Sequence, residues 1–69
     1  MEAEKPVKKG REITVLLDGE GKHGDGMCKI NNFAIFVPRS IIGKKYKIRI
    51  TEVYSTFAFG KILMEIKEE

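Results

Sequence analysis

Four phenylalanines, Phe33, Phe36, Phe57 and Phe59, are interleaved with basic residues in this chain. Flat rings stack on unpaired bases and cations follow phosphates, so the pairing suits single-stranded nucleic acid. Lys29, Arg39 and Lys61 flank the rings, while Lys45, Lys47 and Arg49 alternate with apolar residues in one later stretch. The net charge is +3, but it is unevenly spread: residues 26–51 carry +6 with no acid, against −1 before them and −2 after. A single-sign stretch makes a field that polyanions answer. The plainer reading is a solvated strand face whose lysines keep the protein soluble.

Other chemistries find less support. Gly19 to Gly24 spells G-x-G-x-x-G after a strand. The next residues carry another strand pattern, so no helix N-terminus would face a pyrophosphate. His23 is the only histidine, and with Asp18, Glu20 and Asp25 it matches neither a calcium loop nor a zinc motif. Cys28, the only cysteine, alternates with Lys29 and reads as a buried structural thiol. No nucleophile has an identifiable base. The chain is expected not to be an enzyme and to need neither metal nor cofactor.

At 69 residues the chain has room for one domain with a marginal core. A lone cysteine fits a reducing compartment. Residues 1–10 are polar and lack the apolar stretch of a leader, so no targeting signal is expected, and no run nears the about 20 residues of a membrane span. A cytoplasmic protein without membrane contact is expected. Residues 1–10 read as a flexible arm, and residues 11–69 as a single barrel domain.

Five strands are expected. Ile13, Val15 and Leu17 share one face of the first, over residues 11–18. Asp18–Gly26 is a loop with a hairpin signal at Asp25-Gly26. The second strand starts at Met27 and meets a turn or bulge at Asn31-Asn32. The third, Phe33–Val37, stops at Pro38, which has no N–H for the ladder. Arg39–Gly43 is a short connection with room for one helical turn. The fourth, from about Lys44 to Val53, sets Tyr46, Ile48 and Ile50 against Lys45, Lys47, Arg49 and Thr51. The fifth, Phe57 to about Lys67, sets Ala58, Gly60, Ile62, Met64 and Ile66 inward. Phe57, Phe59 and Lys61 share its outward face. Short strands without helical periodicity indicate an all-β, small five-stranded barrel. Phe33 and Phe36 are three apart, so a regular strand cannot turn both inward. The Asn31-Asn32 break leaves the side taken by Phe33 open.

Gly24-Asp25-Gly26, then Asn32-Phe33-Ala34-Ile35-Phe36-Val37-Pro38, Ile42-Gly43, Val53 and Phe57-Ala58-Phe59 carry a family likeness. Over about residues 11–63 the chain resembles the TRAM domain, particularly stand-alone archaeal members. The resemblance implies an OB-like β-barrel that binds RNA, tRNA included, as an RNA chaperone similar in role to cold-shock proteins. It implies stacking by Phe33, Phe36, Phe57 and Phe59. Phosphate contacts are expected from Lys29, Arg39, Lys45, Lys47, Arg49 and Lys61. Gly60 stands where the family commonly has alanine. Such a barrel need not pair, so a monomer is expected. The alternative is a protein-interaction module whose aromatic patch docks on a partner such as an RNA-modifying enzyme.

Overall fold

Six strands share one sheet in the computed structural model, which describes residues 7–21 and 24–67. They are β1 (Glu12–Leu16), β2 (Gly19–Glu20), β3 (Gly26–Ile30), β4 (Phe33–Val37), β5 (Lys45–Val53) and β6 (Phe57–Ile66). The sheet order is β1-β5-β6-β4-β3-β2. Its two outer members are consecutive in the chain and separated only by Leu17 and Asp18. They are two halves of one bent strand, the first paired with β5 and the second with β3. Through that bend the sheet curls into a small OB-like barrel of five chain-continuous strands, as expected. Strands β4 and β6 run parallel, and the other pairs are antiparallel. None of the described residues is helical, so no helix there is long and apolar enough to cross a membrane.

Period-two alternation fills the interior. Leu17, Ile35, Val37, Ile48, Ile50 and Ala58 are fully buried, with Val15, Cys28 and Tyr46 beside them. Burying each large aliphatic side chain contributes roughly 1.5–3 kcal/mol, which a chain this short needs from most of its core positions. Val7 joins the same cluster at 4 % exposure, and the Gly10 N–H donates to the Ile50 carbonyl at 2.7 Å. The packed domain therefore begins by Val7, inside the stretch expected to be an arm. The remainder of that stretch, residues 1–6, lies outside the described residues.

The turn at Asn31-Asn32 decides the register of β4. Both residues take positive φ, 52° and 67°, a conformation asparagine tolerates in a two-residue hairpin. Ile30 then faces Phe33 across the pair, and Phe33 points inward at 6 % exposure. The expectation that Phe33 stacks bases is corrected here: Phe33 is core, and Phe36 is the outward ring of the two. The hairpin expected at Asp25-Gly26 also shifts. The Gly21 N–H donates to the Asp25 carbonyl at 2.8 Å, Gly24 takes φ 81°, and Gly26 already lies in β3. Lys22 and His23 lie outside the described residues.

In β6 the alternation holds through Ile62 and then changes phase. A register shift against β5 leaves Leu63 without a direct partner and sets Met64 opposite Lys47, so Met64 is 54 % exposed where an inward side chain was expected. The connection between β4 and β5 is a turn and not a helical one. Buried Ser40 holds it: its Oγ donates to the Val37 carbonyl at 2.5 Å and accepts from the Gly26 N–H at 2.9 Å. The Ile41 N–H donates to the Tyr46 hydroxyl at 3.1 Å. These bonds fix Arg39, which has φ 66°, at the edge of the outer face.

Candidate nucleic-acid interface

The outward rings collect because β4 and β6 are neighbours in register. Phe36 sits opposite Phe59, and Ala34 opposite Phe57. Phe57 and Phe59, two apart on β6, meet edge to face with centroids 5.7 Å apart. Phe36 lies 6.2 Å from Phe57 and 5.9 Å from Phe59. Small Ala34 leaves the space that Phe57 occupies. Gly21 closes the far side of Phe36: a Cβ there would come within 3.0 Å of the ring. Phe36, Phe57 and Phe59 are all half-buried.

A fourth ring was missed by sequence reasoning. Tyr54 stacks on Phe57 at 4.7 Å with 21° between planes and meets Phe59 edge on at 6.0 Å. It is 45 % exposed, so its outer face is open to a further flat group. The tight turn into β6 brings it there, with the Tyr54 N–H donating to the Phe57 carbonyl at 2.7 Å. The available signal is an aromatic residue three before Phe57 at the end of an alternating strand. It is masked because Tyr54-Ser55-Thr56 reads as loop.

The cations divide into two groups. Lys29 stands opposite Ala34, one strand from Phe57, and is exposed. Arg39 and Lys61 line a groove with Phe59. Lys45, Lys47 and Arg49 project from the outer face of β5, and Arg49 is paired in register with Lys61. Like charges opposite one another repel. Glu12 on β1 relieves this: Arg49 Nη2 approaches Glu12 Oε2 at 2.6 Å, and Lys47 Nζ lies 3.6 Å from Oε1. Lys44 likewise meets Glu65 at 3.4 Å. The acid-free stretch of sequence is therefore not an acid-free surface, because neighbouring strands supply the carboxylates.

The hydrogen bond from Arg49 lowers the Glu12 pKa below its ordinary value, with Coulombic help from Arg49 and Lys47. Folding thus favours ionised Glu12. Its stabilising contribution is complete above the ordinary carboxylate range and fades as pH falls through the lowered value. Because Glu12 is solvent-accessible and its ion pairs are screened, its removal should be well tolerated. Glu12→Gln should leave the melting temperature nearly unchanged while strengthening polyanion binding and steepening its salt dependence, as read by anisotropy titrations at several salt concentrations. Burial, with the nearby Asp18 charge, raises the Cys28 pKa, so its thiol is held in the unreactive form.

Comparison with known proteins places the chain among small domains of this shape. The TRAM domain model matches residues 6–63. An RNA methyltransferase of Clostridium tetani is 40% identical over 63 residues, covering 91% of this chain and 14% of that protein. The ribosomal RNA large subunit methyltransferase E of Methanocella arvoryzae is 39% identical over 61 residues, covering 88% of this chain and 24% of that one. The chain thus spans less than a quarter of the length of these methyltransferases. A short protein of Methanocaldococcus jannaschii, MJ0660, is 39% identical over 56 residues, covering 81% of this chain and 73% of its own length. The solution structure of the conserved protein from gene locus MMP0076 of Methanococcus maripaludis superposes with a TM-score of 0.81. It is 34% identical, with 88% of this chain and 87% of that chain covered.

Proposed function

The chain belongs to the TRAM domain family, and we propose that it is an RNA-binding module that holds unpaired bases and so acts as an RNA chaperone. The observation that carries this reading is the cluster of Tyr54, Phe57, Phe59 and Phe36 on the outer face of the barrel. Aromatic rings left outside a core this small need a partner to cover them, and unpaired bases are flat, apolar partners. Lys29, Arg39 and Lys61 border the rings. Lys45, Lys47 and Arg49 extend the path for the phosphate backbone along β5. The relatives named as RNA methyltransferases support RNA as the polyanion. Among the described residues of this face, rings and cations suited to binding predominate, and binding is the proposed role.

A second reading, docking on a protein partner, draws on Leu16 and Met64, which are more than half exposed at the other end of the outer face. One experiment separates the two. Labelled single-stranded RNA titrated at several salt concentrations should bind with a log–log slope of about −0.7 per phosphate neutralised. A labelled stem-loop should open as protein is added. Absent or salt-independent binding would overturn RNA recognition. Binding without opening would leave recognition standing and remove the chaperone role.

A further inference from the structure

We propose that the groove beside Phe59 reads a guanine base through the carboxylate of Glu52; this rests on the reading of the ring cluster as an RNA-stacking surface. The groove measures about 690 Å³, large enough for a nucleotide, and is lined by Phe59, Arg39, Lys61, Glu52, Thr51 and Ile62. It contains a ring edge, two cations and one acid. Glu12 and Glu65 sit 2.6–3.6 Å from basic partners that offset them, whereas Glu52 lines the groove itself, where an uncompensated carboxylate would repel phosphate.

A break in the strand puts it there. On β5, Arg49 faces outward and Ile50 is fully buried. Regular alternation would turn Thr51 outward and Glu52 into the core. A register shift between Ile50 and Glu52 instead pairs Ile50 with Gly60 and Glu52 with Phe59. The extra residue, Thr51, donates its hydroxyl to the Phe59 carbonyl at 3.3 Å. The bulge thus re-aims Glu52 to the side of the aromatic ring, a use that bulges commonly have at functional sites. The ion pair with Lys9 spans 3.8 Å with both side chains exposed, too long and too solvated to be the reason for that placement.

An ionised carboxylate is an acceptor with two oxygens side by side. Unpaired bases are read on their Watson–Crick edges. Guanine offers two adjacent donors there, N1–H and the N2 amine, which match the two oxygens. Adenine and cytosine each set one amine beside an acceptor nitrogen, and uracil sets one N–H between two carbonyls. Each of those would face the carboxylate with a lone pair. Arg39 and Lys61, which line the same groove, supply contacts for the phosphates of the same nucleotide.

The test is an anisotropy titration with a short uridine tract, the same tract carrying one guanosine, and the same tract carrying one inosine, which lacks the N2 amine. The single guanosine should tighten binding about tenfold, and inosine should lose most of that gain. Glu52→Gln should remove the guanosine preference while holding or improving affinity for plain uridine, because Glu52 is exposed and its charge opposes phosphate. Ring-dependent binding of the uridine tract with no preference for guanosine would overturn this inference and leave the stacking surface intact. A preference that survives Glu52→Gln would overturn it too. Failure to bind any of the three RNAs would overturn the RNA reading itself, and this inference with it.

Discussion

Phe57→Ala/Phe59→Ala should lower affinity for single-stranded RNA by about 10²-fold or more, the largest binding loss expected from this surface. Each base stacked on an aromatic side chain contributes roughly 1–3 kcal/mol, and about 1.4 kcal/mol is tenfold in affinity. The two rings touch each other, and both touch Phe36 and Tyr54. Their single-mutant effects should therefore not add. Phe57→Ala also strips the support from Tyr54, which stacks on it, so it should cost more than Phe59→Ala. Tyr54→Ala should cost no more than Phe57→Ala, which removes the ring that Tyr54 stacks on. Phe33→Leu, a change within the core, should lower the melting temperature and leave the affinity of the folded protein unchanged. Affinity measured alongside thermal denaturation separates these cases. A double variant that stays folded and binds RNA as tightly as the parent would remove stacking from the mechanism.

Most of the fold was legible because strand patterning in a small barrel is strict. Ile35 and Val37, or Ile48 and Ile50, have only one buried face to take, and the parity of Phe57 and Phe59 is set by Ala58 and Gly60. What escaped were the places where backbone irregularity changes the parity. The asparagine turn brought Phe33 inward, the shift near Leu63 exposed Met64, and the bulge at Thr51 moved Glu52 to the outer face. Each depends on one inserted residue or, at the turn, two left-handed ones, which leaves little trace in composition. Cross-strand partners were equally hidden. Glu12 is 37 positions from Arg49 in sequence, yet it offsets part of the positive charge carried by the run from Lys44 to Arg49. The candidate site was thus readable as a set of residue types, and its members were sorted only by the register of neighbouring strands.

Gly26→Ala should be the most damaging single substitution in the barrel for its size. Gly26 does not take positive φ, so the backbone would accept alanine; the obstacle is space. A Cβ there would overlap Ser40 Oγ and come 2.8 Å from Leu17 Cδ1 and 3.2 Å from Ser40 Cβ. Leu17 is fully buried at the bend that closes the barrel. Ser40 cannot swing aside without leaving the Gly26 N–H and the Val37 carbonyl unpaired. Overpacking costs roughly 1–3 kcal/mol, and an orphaned buried polar group costs a similar amount. A total of about 2–4 kcal/mol is a large share of the roughly 3–10 kcal/mol expected for a chain of this length. The melting temperature should fall by about 10–25 °C. Gly60→Ala is the control. Its Cβ would approach only the Ile48 Cδ1 methyl closely, at 2.7 Å, and that methyl can rotate away. Its cost should be well under half that of Gly26→Ala. Adding Ser40→Gly to Gly26→Ala should restore part of the stability by removing the two Ser40 atoms that crowd the new methyl, while Leu17 Cδ1 stays close and the two Ser40 hydrogen bonds are lost. It should also loosen the turn that carries Arg39, so the rescued double variant should bind RNA more weakly than its melting temperature alone would suggest. A Gly26→Ala protein that melts within a degree or two of the parent would show that the bend at Leu17 yields easily and that the Ser40 hydrogen bonds are not needed to hold the turn that carries Arg39.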